Sequence, residues 1–395
     1  MTDPRVPRVL VLVCDSWGVG DAPDAAAYGD EGSNTLGHVS GALGGLHIPN
    51  LQDLGVGLLT DVAGAARRAS PGVAYGRATE LSAGKDTTTG HWEMMGIVLD
   101  RPFPLYPEGF PPEIVERFEL AIGRRILGNV PASGTEIIER LGEEHIRTRR
   151  PIVYTSGDSV FQVACHDRVA NLQTLYDWCR AARRLLVGEH AVGRVIARPF
   201  TGQPGAFVRR PERRDFSVPP PRATVLDALL AAGVAVFAVG KIRDIFCGQG
   251  ITEGRYSVSN GHGIDLTLEY LRRPGPALVF TNLVDFDSKY GHRNDPVGYG
   301  AAIEALDRRL PELIGALGGG VMLLTGDHGC DPTTVSTDHS RERVPLLVSG
   351  LQGEAREVGT RDGFGDLGAT VADLLGVELE GLHGKSFAMG LGLAS

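Results

Sequence analysis

Three separate apolar runs in this chain each give way to an acidic residue: Val13-Cys14-Asp15, Leu283-Val284-Asp285-Phe286-Asp287, and Leu324-Thr325-Gly326-Asp327-His328. One such Asp is ordinarily a helix N-cap, its carboxylate accepting a backbone N–H. Three of them, with histidines close by, are much harder to explain as caps. His292 follows Asp287 by five residues, His328 adjoins Asp327, and His339 follows in Thr337-Asp338-His339-Ser340. An isolated His is usually structural or exposed. Carboxylates mixed with imidazoles, however, suit Mn or Zn better than Ca, which takes oxygen alone. Three Asp with three His are enough for two metals, and paired ions about 3.5–4 Å apart are a recurring device for displacement at phosphorus.

A nucleophile for that chemistry is offered by Gly84-Lys85-Asp86-Thr87-Thr88-Thr89-Gly90-His91-Trp92-Glu93. Consecutive threonines can simply cap a helix. A Thr hydroxyl is a poor nucleophile until a base or a metal activates it, and the metal ligands would supply that activation. Composition alone does not choose between Thr87, Thr88 and Thr89.

The elements that must position these residues are buried strands. Val9–Cys14, Val234–Val239, Ala277–Val284, Val321–Leu324 and Val344–Val348 are short apolar runs, and amphipathic helical stretches such as Thr224–Ala232 and Tyr299–Leu317 lie between some of them. This alternation predicts an α/β domain with a mostly parallel sheet. Phe364–Leu375 has apolar residues at helical spacing and reads as a late helix. In open α/β sheets ligands bind beyond the carboxyl ends of the strands, which is where the three acids fall. The segment from Arg101 to about Arg214 reads differently, helical and in places basic, between the Pro-rich borders Arg101–Pro104 and Ser217–Pro221. Such borders mark semi-rigid linkers. The expected organisation is therefore a core of residues 1–100 and 219–395, with residues 101–218 as an inserted domain.

The whole chain of 395 residues, 42% hydrophobic and 22% charged, has the balance of a globular protein with a large core. Its net charge of −9 argues against a nucleic-acid partner. No apolar run approaches a membrane span, and Val9–Cys14 is too short for a signal segment. Five scattered cysteines (Cys14, Cys165, Cys179, Cys247, Cys330) form no CxxC pair, so a reducing, cytoplasmic setting is expected.

Taken in order, Asp15–Gly20, Gly84–Glu93, Val284–Asn294, Gly326–His328 and Thr337–Arg341 closely resemble the signature segments of the phosphopentomutases, a family of the alkaline phosphatase superfamily. The resemblance spans nearly the whole chain and implies an alkaline phosphatase-like core carrying an α+β cap. It implies one Mn²⁺ on Asp287, His292 and His339, and another on Asp15, Asp327 and His328 with the Thr87 hydroxyl. Thr87 is favoured because the family phosphorylates the first threonine of Asp-Thr-x-Thr-Gly-His. Asp285 and Asp338 would then support the histidines. Tyr154–Ser159 resembles the sugar-contacting stretch, with Ser156 and Asp158 as contacts. Arg194, Arg198, Arg209, Arg210 and Lys241 are candidates for the distal phosphate, Arg by bidentate geometry and Lys as a point charge; Arg209 and Arg210 are not distinguished.

The implied reaction interconverts ribose 1-phosphate and ribose 5-phosphate, and their deoxy equivalents, through phospho-Thr87 and a pentose 1,5-bisphosphate. A sugar bisphosphate such as glucose 1,6-bisphosphate would act as activator, and the cap would keep water from the phosphothreonine. The oligomeric state stays open, a monomer being compatible. A cofactor-independent phosphoglycerate mutase would carry a Ser-Glu-Val-Gly-His segment and a sulfatase a Cys-x-Pro-x-Arg segment; this sequence has neither. A phosphatase or phosphodiesterase with the same metals, or a non-catalytic binder on the same scaffold, is the remaining alternative.

Overall fold

The computed structural model describes residues 6–156 and 159–392. By internal contacts the chain forms two compact units, Met1–Arg101 with Pro220–Ser395, and Pro102–Pro219.

The larger unit is built on an eight-stranded sheet in the order Glu253–Arg255, Ala235–Val239, Ala277–Leu283, Arg8–Cys14, Val321–Thr325, Val344–Ser349, Val73–Ala78, Arg356–Arg361. Only Val344–Ser349 runs against its neighbours. The central strands are predominantly apolar and buried except at Arg8, as expected where helices cover both faces of a parallel sheet. All five strands read from apolar runs are present within a residue or two of their expected ends. Three further strands were not read. Glu253–Arg255 and Arg356–Arg361 are edge strands with polar composition, and Val73–Ala78 is broken by Gly76 and Arg77.

Helix signals act where the sequence places them. Thr224 and Asp227 form a capping box on Val225–Ala231: Thr224 Oγ1 accepts from Leu226 N–H at 3.2 Å, and Asp227 Oδ2 accepts from Thr224 N–H at 2.7 Å. The helix Pro296–Ala316 starts with Pro in its first turn, and the Asp295 carboxylate accepts from Gly298 N–H at 2.8 Å.

What positions the site is register. Arg8–Cys14 lies between Ala277–Leu283 and Val321–Thr325, parallel to both, with Cys14 opposite Leu283 and Val13 opposite Thr325. The three strands therefore end level, and Asp15, the Val284–Asp287 turn and the Gly326–Asp327 turn leave the sheet side by side.

The smaller unit holds a second, six-stranded sheet, so the stretch that reads as helical is α+β. Its strand order is Leu127–Pro131, Ile152–Thr155, Val160–His166, Arg194–Gln203, Ala206–Arg209, with Arg214–Ser217 also paired to Arg194–Gln203. Helices Pro112–Ile122 and Leu172–Leu185 pack on one face around Phe118, Phe161 and Trp178, and helix Gly134–Thr148 packs on the other around Ile137, Ile152 and Phe200.

His145, fully buried in that second layer, has both ring nitrogens engaged: Nδ1–H donates to Arg150 O at 2.5 Å, and Nε2 accepts from His166 N–H at 2.8 Å. Burial pushes its pKa down to about 4. Because the unfolded ring titrates near 6.5, the folded state binds fewer protons between these values. Stability from His145 is thus full above about pH 6.5 and lost as pH falls toward 4. In urea unfolding at pH 8, His145→Ala is expected to cost about 1–3 kcal/mol, since it strands the His166 N–H. That cost should shrink steadily down to pH 4; a constant cost across the range would contradict the assignment.

Candidate metal centre

Asp15 follows Cys14 directly, and its carboxylate is held in place before any ion is considered. Its Oδ2 accepts from Asn282 Nδ2 at 3.1 Å and from Lys241 Nζ at 3.0 Å. Asp327 Oδ1 accepts from Ser16 N–H at 2.9 Å; Ser16 has a positive φ of 75°, so the turn after the first strand bends its amide onto that carboxylate. Asp287 sits in the single wide turn Phe286–Tyr290 after its strand. All three acids are buried.

The histidines converge on them. His292 Nε2 and His339 Nε2 lie 3.3 and 3.4 Å from Asp287 Oδ1. His328 Nε2 lies 3.5 Å from Asp15 Oδ1 and 3.4 Å from Asp327 Oδ2. The ring centroids of His328 and His339 are 3.8 Å apart. Two groups of donor atoms emerge, Asp287 with His292 and His339, and Asp15 with Asp287 and His328. Asp287 is common to both, so the two groups are contiguous.

Ring orientation is set by main-chain carbonyls. His292 Nδ1 meets Thr337 O at 2.6 Å and His328 Nδ1 meets Gly329 O at 3.0 Å. With Nδ1 protonated toward a carbonyl, each ring turns an Nε2 lone pair to the carboxylates. Asp285 and Asp338 do not perform this orienting. Asp285 accepts from Asn260 N–H and pairs with Lys289, and the Asp338 carboxylate accepts from the His339 N–H.

The electrostatics ask for a cation. Burial, then the Asp327 charge, pushes the Asp15 carboxyl up to about 6. Burial also works against ionised Asp287 and Asp327, but adjacent imidazoles, and Ser16 N–H for Asp327, outweigh it and hold both below the usual carboxylate range. Asp15 Oδ1, Asp287 Oδ1, Asp327 Oδ2 and His339 Nε2 are buried with no hydrogen-bond partner. Each such orphan costs about 1–3 kcal/mol, and metal ligation would account for the four together. The mixed oxygen and imidazole set fits divalent Mn or Zn.

Thr87 opens the helix Thr87–Met94, and its Oγ1 lies 3.1 Å from His328 Nε2. Thr89 is turned away, its hydroxyl donating to Asp86 Oδ2 at 2.5 Å. Of these two threonines, Thr87 is the one whose hydroxyl reaches the cluster.

The sugar and phosphate candidates separate. Lys241 joins the carboxylates, with Nζ also 3.8 Å from Asp287 Oδ2. Arg210 is committed to Glu212 at 2.5 Å and Asp167 at 3.5 Å, whereas Arg209 and Arg198 flank the Tyr154 hydroxyl. Arg198 Nε also donates to Gln162 Oε1 at 3.0 Å, and Arg194 lies 3.8 Å from Asp215. Ser156 is half-buried. Asp158 lies outside the described residues.

Sequence reasoning missed Arg341. Its guanidinium is 2% exposed and engages Glu80, Asp24 and the Ser82 and Gly84 carbonyls, while its face lies 4.9 Å from the Tyr28 ring. It therefore ties the segment carrying His339 to the loop leading into Thr87. Its signal was weak, because the partners lie some 260 to 317 positions away in sequence.

The model of the metalloenzyme superfamily matches residues 7–379. The chain is 54% identical over 382 residues to the phosphopentomutase of Acetivibrio thermocellus, covering 96% of this chain and 98% of that one. It is 56% identical over 387 residues to the phosphopentomutase of an Anaeromyxobacter species, covering 98% and 99%. Among solved structures, Leishmania mexicana phosphoglycerate mutase at low cobalt concentration is similar with a TM-score of 0.52 at 14% identity, covering 98% of this chain and 99% of that one. That likeness is one of fold.

The Arg341–Glu80 pair gives a local test. Arg341→Ala leaves a buried carboxylate unpaired and is expected to lower unfolding stability by about 3–5 kcal/mol in urea titration. Glu80→Gln combined with Arg341→Met should recover part of that loss, because no buried charge then stands alone. A single-variant cost below about 1 kcal/mol would show that the pair does not hold the loop.

Proposed function

The chain belongs to the phosphopentomutases, enzymes of the metalloenzyme superfamily, and from that premise we propose that it interconverts ribose 1-phosphate and ribose 5-phosphate, with their deoxyribose equivalents, through a phosphate carried on Thr87. The observation that carries this reading is the Thr87 hydroxyl 3.1 Å from His328 Nε2, at the edge of a cluster of orphaned carboxylate and imidazole atoms.

The residues we assign to two divalent ions, Mn²⁺ in this proposal, are Asp287, His292 and His339 for one and Asp15, Asp327 and His328 for the other, with Asp287 close enough to serve both. When bound, such ions withdraw charge from phosphoryl oxygens and lower the pKa of a hydroxyl. Thr87 forms the transient ester. In the forward half, the Thr87 Oγ1–phosphorus bond breaks as a bond from phosphorus to the sugar hydroxyl oxygen forms, and the proton lost by that hydroxyl ends on Thr87 Oγ1. The resulting 1,5-bisphosphate turns end for end, and Thr87 takes back the other phosphoryl group. A sugar bisphosphate such as glucose 1,6-bisphosphate would load Thr87 initially. Lys241 keeps Asp15 ionised through a contact of 3.0 Å, so the carboxylate is ready to ligate at neutral pH. Arg194, Arg198 and Arg209 are the proposed holders of the distal phosphate, and Ser156 with Asp158 of the sugar; the ion pairs of Arg210 with Glu212 and Asp167 weigh against it. Among the described residues no helix is long and apolar enough to cross a membrane; the setting proposed for these small-molecule substrates is the cytoplasm.

The test is a coupled assay of ribose 1-phosphate conversion with Mn²⁺ and a trace of glucose 1,6-bisphosphate, with free phosphate followed in parallel. Isomerisation without matching phosphate release is expected, and Thr87→Ala should reduce turnover by roughly three orders of magnitude or more while retaining bound Mn²⁺. Phosphate release without isomerisation would replace the mutase with a phosphatase. Retained mutase turnover in Thr87→Ala would remove Thr87 as the carrier.

A further inference from the structure

We propose that His91 is a positioning residue for Thr87, its imidazole fixing the main chain of the nucleophile turn against Asp327 and Asp15. The inference rests on Thr87 being the phosphate carrier.

His91 is 0% exposed and lies one helical turn after Thr87. Its Nδ1 is 2.8 Å from the Thr87 carbonyl oxygen and 3.3 Å from Asp327 Oδ2. Both of those atoms are oxygens that can only accept, so the proton sits on Nδ1, which donates to the Thr87 carbonyl with the Asp327 carboxylate alongside. Nε2 is then a lone pair, and it faces Asn282 Nδ2 at 3.4 Å. The same amide nitrogen lies 3.1 Å from Asp15 Oδ2. With two hydrogens on Nδ2, Asn282 can serve both. One ordered chain therefore runs from the Thr87 carbonyl through His91 and Asn282 to Asp15, passing beside the Asp327 carboxylate, and every side chain in it is buried.

Two packing facts make the chain stiff. The Phe280 ring lies 5.8 Å from the His91 ring and limits its tilt. A Cβ on Gly90 would collide with the Asp327 main chain, so the helix already sits at contact distance from that turn. The N-cap does not do this work: Asp86 Oδ1 accepts from Thr88 N–H at 3.0 Å and Thr89 N–H at 3.2 Å, which fixes the following residues and leaves the Thr87 carbonyl to His91. Without the imidazole the Thr87 turn can shift relative to His328, and a misplacement of about 1 Å costs about 100-fold in rate.

The experiment compares wild type, His91→Ala and His91→Asn, each loaded with Mn²⁺. It measures kcat and KM for ribose 1-phosphate, metal content, and the rate of phosphate incorporation at Thr87 from glucose 1,6-bisphosphate by intact mass. The Asn amide nitrogen overlays Nδ1 and keeps its donor. His91→Ala is expected to lose about 100-fold in kcat, with KM changed less than about 3-fold, metal content unchanged and Thr87 labelling slowed in parallel. His91→Asn should recover at least about 10-fold of that loss. If His91→Ala does not fold, His91→Asn must still stay within about 10-fold of wild type. A His91→Ala variant with wild-type kcat and only a lower melting temperature would overturn the inference, as would a folded His91→Asn variant about 100-fold impaired. Wild type that turns over without labelling Thr87 would overturn the premise instead, and the inference with it.

Discussion

Asp15, Asp287 and Asp327 are buried carboxylates gathered at one end of a sheet, and keeping charge there away from water is costly unless something answers it. Much of the neighbourhood can be read as that answer. Lys241 sets an ammonium against Asp15, Ser16 turns a left-handed residue so that its amide reaches Asp327, and His91 faces the same carboxylate from the helix of Thr87. These contacts leave one oxygen of each carboxylate without a hydrogen bond. The unanswered oxygens of Asp15 and Asp327 lie 3.5 and 3.4 Å from His328 Nε2 and that of Asp287 lies 3.4 Å from His339 Nε2, an arrangement that a divalent cation would complete.

The fold's contribution is to make such crowding possible. A parallel arrangement brings three strand ends level, so three turns far apart in sequence deliver their acids to one place. Side chains alternate along a strand, and a slip of one residue in any of these pairings would send the acid at its end to the other face. The near-complete burial of the three strands specifies that register, since a slip would also displace their packed apolar side chains. Thr87 arrives from a different direction, on a short helix whose glycine permits contact with the Asp327 turn.

The legible parts of the fold were those where one physical cause dominates. Buried central strands, parallel or not, appear as apolar runs, so the central five were visible, and the acids at three of their ends marked the site. Edge strands such as Arg356–Arg361 contact solvent and carry no such signature. In the smaller unit, runs such as Val160–His166 mix apolar residues with Gln162 and His166 and did not read as strands, although burial there is complete. Side-chain partnerships were the least legible. Lys241 and Asp15 are separated by 226 positions, so nothing local revealed that the lysine belongs with the carboxylates. Arg209 and Arg210 look alike until Glu212 and Asp167 are seen to take up Arg210. The histidine supports were expected from neighbouring acids, whereas main-chain carbonyls of Thr337 and Gly329 provide them.

The central claim is that the buried acids and imidazoles form two contiguous metal sites beside Thr87. Anomalous diffraction at the Mn edge from crystals of the full chain grown with Mn²⁺ tests it most directly. The account predicts two peaks, one enclosed by Asp287, His292 and His339 and one by Asp15, Asp327 and His328 within reach of the Thr87 hydroxyl. A single peak, or density placed away from these residues, would contradict it.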